Sequence, residues 1–266
     1  MGRRPCAFLL TLLSVGSATA SPPQPLRLCY EDVPQSPWTM PDGGGLNLEL
    51  LRRVEKQLNE NLVFLPMPWK RCIDNVHWGT VDAVIGSADT PERRADGKLP
   101  TVADGHTDPT AALDVESYNI FLRTNGDARW DGKTLLVPRG SVIVPRGYIV
   151  AQALRDKGYP VQEAVKSAEE GLRMLAEGAA DVAVLFGLEA EDLARTPRFR
   201  DKVKEVGPAF MTMPFYLLVS HASYQRDPQR FEAIWNSIRA VRMTVTYRQL
   251  EDGATRRTPA EANRSP

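Results

Sequence analysis

Gly79-Thr80-Val81-Asp82-Ala83-Val84-Ile85-Gly86 and, further along the chain, Gly178-Ala179-Ala180-Asp181-Val182-Ala183-Val184-Leu185 are two versions of one pattern. In each, a glycine able to take the left-handed conformation ends a helix, and an aspartate leads into an apolar run with the character of a buried parallel strand. The residues before each copy repeat the likeness. Ahead of the first lie a strand candidate at Leu26-Arg27-Leu28-Cys29-Tyr30, a helix with apolar positions 46, 50, 51, 54 and 58, a strand over 62–67 and a short helix over 69–78. Ahead of the second lie a strand candidate over 141–145, a helix over 148–157, a strand over 161–165 and a helix over 168–177, which Ser167 and Glu170 open as a capping box. Strand, helix, strand, helix, strand implies parallel pairing with right-handed crossovers. The pattern therefore predicts an α/β protein of two similar lobes, each a mostly parallel sheet flanked by helices; one continuous doubly wound sheet is the alternative.

Between the two units, 99–127 has apolar residues only in patches, with a strand candidate at 118–122. After the second unit come a strand candidate at 215–220 and a helix over 227–250, whose apolar positions are Phe231, Ile234, Trp235, Ile238, Val241 and Val245. Two crossings return the chain to the first lobe. The expected organisation is lobe 1 from 26–115 and 210–250, lobe 2 from 116–209, a hinge where the chain crosses and a cleft beneath it. Residues 251–266 have almost no apolar content and are expected to be disordered.

The chain has 266 residues, 33 Lys+Arg against 33 Asp+Glu and 42% hydrophobic residues. That is a globular composition, with no basic field to hold nucleic acid or an anionic membrane. Arg3 and Arg4, the apolar stretch from Ala7 to Val15 and Ala18-Thr19-Ala20 make residues 1–20 a secretory signal peptide, cleaved before Ser21. The expected product is exported, periplasmic and monomeric. Export leaves Cys29 and Cys72 in an oxidising compartment. The first ends a strand and the second opens the helix after the neighbouring strand, so a bridge is expected, with two buried thiols as the alternative.

Catalytic signatures are few. His77, His106 and His221 stand far apart, with no second ligand at metal spacing. There is no Gly-x-Ser-x-Gly elbow, no phosphate loop and no Gly-x-Gly-x-x-Gly fingerprint. No metal or cofactor is expected. The third strand is followed by Gly86-Ser87-Ala88-Asp89-Thr90-Pro91-Glu92-Arg93-Arg94, where an arginine could grip a carboxylate through two hydrogen bonds while Ser87 and Thr90 add hydroxyls. By spacing alone, an ordinary capped turn with solvated charges is the favoured reading.

Trp78-Gly79-Thr80-Val81-Asp82-Ala83 followed by Thr90-Pro91-Glu92-Arg93 resembles the Gly-x-Val-Asp strand and Thr-x-x-Arg loop of family 3 of the bacterial extracellular solute-binding proteins. These are type II periplasmic binding proteins, typified by amino-acid receptors of ABC transporters. Pro68-Trp69-Lys70-Arg71-Cys72 is similar to a subgroup of the same family. The resemblance spans roughly 26–250 and implies a two-lobed binding protein that closes on a small polar ligand, amino-acid-like or an organic acid, and delivers it to a membrane permease. It implies that Arg93 holds the ligand's carboxylate beside Thr90 and Ser87, with Trp38, Tyr30 or Trp69 as an aromatic wall. Glu31 is a candidate for orienting an ammonium.

In lobe 2 the resemblance implies a glycine turn at a helix N-terminus. Pro138-Arg139-Gly140-Ser141 and Pro145-Arg146-Gly147-Tyr148 are the candidates, and the second is preferred because Pro145 would break a helix started at Ser141. The acid that meets the ammonium in amino-acid receptors is replaced by Phe186-Gly187, with Glu189 the nearest carboxylate. No catalysis is expected. The alternatives are an exported dehydratase-like enzyme using an acid such as Glu31 or Glu189, and a sensor for a membrane signalling protein.

Overall fold

The structure is a computed structural model that describes residues 24–255; the expected signal peptide and the end of the tail lie outside them. In chain order the elements are β1 (Leu26–Glu31), α1 (Leu46–Leu58), β2 (Leu62–Met67), α2 (Trp69–His77), β3 (Ala83–Ala88), α3 (Pro91–Asp96), β4 (Gly97–Lys98), β5 (Asp114–Arg123), β6 (Arg129–Trp130), β7 (Leu135–Leu136) and β8 (Val142–Pro145). They continue with α4 (Val150–Asp156), β9 (Val161–Val165), α5 (Ala168–Ala176), β10 (Val182–Phe186), α6 (Gly187–Arg195), β11 (Val203–Ser220), α7 (His221–Arg226), α8 (Pro228–Arg242) and α9 (Val245–Thr255).

The strands run β2-β1-β3-β11-β5-β10-β8-β9. Read from either end, the order is second, first and third strand of a unit, then a crossing strand. The repeated sequence pattern is thus a repeated topology. β1 pairs in parallel with β2 and β3, and β8 pairs in parallel with β9 and β10. β5 and β11 pair antiparallel with each other along most of their length and join the two halves into one curled sheet. The two-lobed fold expected from the repeat is present, and the hydrogen bonding of its two units is continuous through the crossing strands. The boundaries expected at 115/116 and 209/210 fall inside these crossing strands. β11 is far longer than the run at 215–220 suggested, because its first half, with Gly207-Pro208 and few aliphatic residues, lacks a strand-like pattern.

Each half has apolar layers on both faces of its sheet, as the period-2 alternation of strands requires. In the first half, Leu26, Leu28, Tyr30, Ala83 and Ile85 pack with Leu48, Leu51, Trp235 and Tyr247 from α1, α8 and α9. Cys29 and Val84 point the other way, onto Cys72, Ile73 and Val76 of α2. In the second half, Val142, Val144, Val182 and Val184 pack on α4, while Ile143, Ala183 and Leu185 pack on α5 and α6.

Cys29 and Cys72 are bridged, with Cα atoms 5.7 Å apart. The two signature glycines are left-handed, Gly79 at φ 67° and Gly178 at φ 74°. The two aspartates each meet an arginine from a distant segment. Asp82 accepts from Arg226, Ser223 Oγ and the Arg27 amide at 2.9, 2.6 and 2.8 Å. Asp181 accepts from Arg123 at 2.6 Å.

The long C-terminal helix is broken in two. Thr244 Oγ1 accepts from the Tyr247 amide at 3.3 Å, so the hydroxyl caps a new helix that leaves Val245 exposed and buries Tyr247. The expected disorder from residue 251 is also corrected: α9 continues to Thr255, and Glu251 takes a hydrogen bond from Arg242 at 2.9 Å.

Candidate functional site

A cleft with about 340 Å³ of empty space lies where the carboxyl ends of β3 and β10 and the segment after β8 face one another. Gly86, Ala88, Trp69 and Arg93 line it from the first half, and Tyr118, Tyr148, Ile149 and Phe186 from the second. Phe215 on β11 closes the back, and Gln35 from the loop after β1 reaches across the front.

Arg93 reaches this cleft because of a short, firmly capped helix. Thr90 Oγ1 accepts from the Arg93 amide at 3.3 Å, and Pro91 occupies the first helical position, where its missing N–H costs nothing. The guanidinium donates to Asp96 at 3.1 Å and to the Gly147 carbonyl at 3.2 Å, and it lies 5.9 Å from the Trp69 ring. Its Nε is buried and meets no acceptor among the described residues. Tyr118 stands in the electric field of this arginine, although burial dominates and pushes its phenol above the ordinary value.

The two halves touch directly across the cleft. Gln35 Nε2 donates to the Tyr148 hydroxyl, which donates to Glu31 at 3.4 Å. The Ser36 amide donates to Glu189 at 3.2 Å, and Arg93 bonds the Gly147 carbonyl as described. Glu31 also accepts from the amides of Asp32 and Trp69, each at 3.2 Å. Burial is the largest influence on its carboxyl and raises it to about 7. The conformation is closed.

Of the residues singled out in the sequence, Arg93, Trp69, Tyr148 and Phe186 line the cleft, and Glu31 sits behind Tyr148. The others do not line it. Tyr30 is only 1% exposed in the core against α1, because strand alternation turns it away from the cleft side. Ser87 is fully buried between Gly86 and Ala88, its hydroxyl bonding only the Ala88 carbonyl. The Thr90 hydroxyl is spent on the helix cap. Trp38 is buried and donates through Nε1 to Glu116 at 2.6 Å, tying the loop after β1 to a crossing strand. Arg146 turns outward to the carbonyls of Glu163 and Ala164.

Gly147 is on the cleft side at φ 75°, but its amide is taken by Glu163 at 2.7 Å, so it presents a carbonyl to Arg93 and no free amide to a ligand. Gly140 borders a separate polar hollow beside Arg123, Arg139 and Asp181. Sequence reasoning missed Tyr118, Ile149, Phe215 and Gln35. The sequence places the two aromatics on strands, but only the crossing of β5 and β11 brings their ends to the cleft. Gln35 has no local signal. Among the described residues no group of His, Cys, Asp and Glu is arranged to hold a metal, and no helix is long and apolar enough to cross a membrane.

No protein-family model matches the chain, and no curated protein does. Solved structures do match. The ligand-binding core of GluR0 from Nostoc punctiforme, in complex with L-glutamate, is similar over 86% of this chain and 99% of its own, at 21% identity and a TM-score of 0.64. The fold is that of the type II periplasmic binding proteins. An ancestral amino-acid-binding protein, a precursor of cyclohexadienyl dehydratase, matches over 87% of this chain and 95% of its own, at 20% identity and a TM-score of 0.67. A putative ABC transporter binding component from Wolinella succinogenes, complexed with lysine, covers 89% of this chain and 98% of its own, at 14% identity and a TM-score of 0.65. Arg93 and the aromatic wall meet between the two lobes of this fold.

Proposed function

We propose that the protein is an exported, monomeric solute-binding protein of the periplasm that closes its two lobes on a small carboxylate and hands it to a membrane transporter, without cofactor or catalysis. One observation carries the reading: the Arg93 guanidinium stands in the wall of the inter-lobe cleft with Nε buried and without an acceptor. A buried charged donor left unsatisfied is costly, and a ligand carboxylate accepting from Arg93 would remove that cost. Because the ligand touches both halves, it binds the closed arrangement more tightly and shifts the population toward it. The similar structures named above bind glutamate and lysine, which supports a small carboxylate as ligand. The test is a thermal-shift screen of amino acids and small organic acids. A ligand at 100 times its dissociation constant should add about 2.7 kcal/mol to stability; a screen in which no carboxylate stabilises the protein would contradict the reading.

A second reading rests on Glu31. A buried carboxyl raised to about 7 and hydrogen-bonded to a cleft tyrosine is suited to proton transfer. Incubating the stabilising ligand with the protein and following it by mass spectrometry separates the two. Unaltered ligand fits a receptor, and turnover abolished by Glu31→Gln makes it an enzyme.

A further inference from the structure

We infer that the cleft selects a carboxylate whose remaining body is flat and apolar and that carries no ammonium: an arylalkanoate rather than an amino acid. This rests on the binding reading above and deepens it. The argument starts from what surrounds Arg93. Apart from the arginine and Gln35, the walls are Trp69, Tyr118, Tyr148, Phe186, Phe215 and Ile149, over a floor of Gly86 and Ala88. The rings meet edge to face, with centroids 5.2 Å apart for Tyr118 and Phe186, 5.1 Å for Phe186 and Phe215, and 6.1 Å for both Tyr148 with Phe186 and Trp69 with Tyr148. Edge-to-face rings around an open space leave ring faces and edges for another flat group to pack on.

An ammonium drawn into such a space loses its hydration and needs an anion to replace it. Among the described residues no carboxylate lines the cleft, and those nearby are committed elsewhere. Glu31 takes two backbone amides and the Tyr148 hydroxyl. Glu116 takes Trp38 Nε1 and the amides of Ser117 and Leu188. Glu189 takes the Ser36 amide, Asp96 takes Arg93 and His77, and Asp89 takes Arg94 and Thr107. The position where β10 delivers a residue to the cleft is Phe186, a ring and not an acid. One charged group is provided for, the carboxylate, and everything beyond it is a surface for carbon.

The test is calorimetric titration of the purified protein with three probes that share one carbon skeleton: 3-phenylpropanoate, L-phenylalanine and 3-phenylpropan-1-ol. The acid should bind at least tenfold more tightly than the amino acid, which differs only by the ammonium, and at least tenfold more tightly than the alcohol, which lacks the charge. If L-phenylalanine binds as well as the acid or better, the inference is overturned while carboxylate binding stands. If the alcohol matches the acid, the inference is overturned and the carboxylate anchor of the proposed function loses its support with it; if none of the three binds at millimolar concentration, the inference alone is overturned, and the carboxylate screen decides the proposed function separately.

Discussion

The two lobes share a strand order, a left-handed glycine and a strand-leading aspartate, yet they bring opposite chemistry to the cleft. Lobe 1 follows its third strand with a capped short helix that delivers a cation, Arg93. Lobe 2 follows its third strand directly with α6, and what faces the cleft is Phe186. The next residue, Gly187, has no room for a side chain, since a Cβ there would come 2.6 Å from Glu116. The difference shows that the repeated part of the sequence specifies scaffold, while the segments just past the strand ends, free of any role in the sheet, differ and line opposite sides of the cleft.

The lobes also differ in how they are braced, and here the largest effect is expected. Only lobe 1 is stapled, by Cys29–Cys72 across a sequence separation of 43. Replacing both cysteines by Ser should cost about 4 kcal/mol in urea unfolding; a loss below about 1 kcal/mol would mean the lobes are equally self-sufficient. Next come the paired aspartates. Asp82 gathers three donors, one from β1 and two from α7, whereas among the described side chains Asp181 serves Arg123 alone. Asp82→Ala should therefore cost about 3 kcal/mol and Asp181→Ala about half that, again by urea unfolding; the reverse order would break the comparison.

The third effect depends on pH. Asp114, at the start of β5, is raised to about 7, chiefly by burial, as is Glu31. A carboxyl whose folded value lies above its unfolded one binds more protons in the native state, so its contribution is full below the unfolded pKa of about 4 and is lost as pH rises through about 7. Melting temperature should fall between pH 5 and 8, and Asp114→Asn should flatten that slope. The smallest effect concerns the signature glycines. Each left-handed position should cost about 1 kcal/mol when changed to Ala. Gly79 should cost more, because its Cβ would meet Ala222 at 3.1 Å, while at Gly178 the nearest atom is 3.9 Å away. Equal melting temperatures for the two variants would contradict this.

Much of the fold was legible because local pattern and tertiary role coincide: buried parallel strands read as short apolar runs, and Gly79 and Gly178 mark where helices stop. The first half of β11 was not legible, because it pairs at the junction of the lobes, where its residues are half exposed and Gly207-Pro208 interrupts the alternation. In the site, Arg93 and Trp69 could be found from the loop and the helix start. Tyr118 and Phe215 could not, since which strand ends border the cleft is decided by how β5 and β11 cross. Thr90 and Trp38 misled for the opposite reason: a hydroxyl and an indole beside a site were already needed to hold it in place.

The division of labour between the lobes is tested most directly by calorimetric titration of 3-phenylpropanoate into Arg93→Ala, with circular dichroism to establish that the variant is folded. The account predicts affinity weakened by about 30-fold or more, as expected when a desolvated charge pair loses one partner. Unchanged affinity in the folded variant would contradict it and place the charge that lobe 1 supplies somewhere other than Arg93.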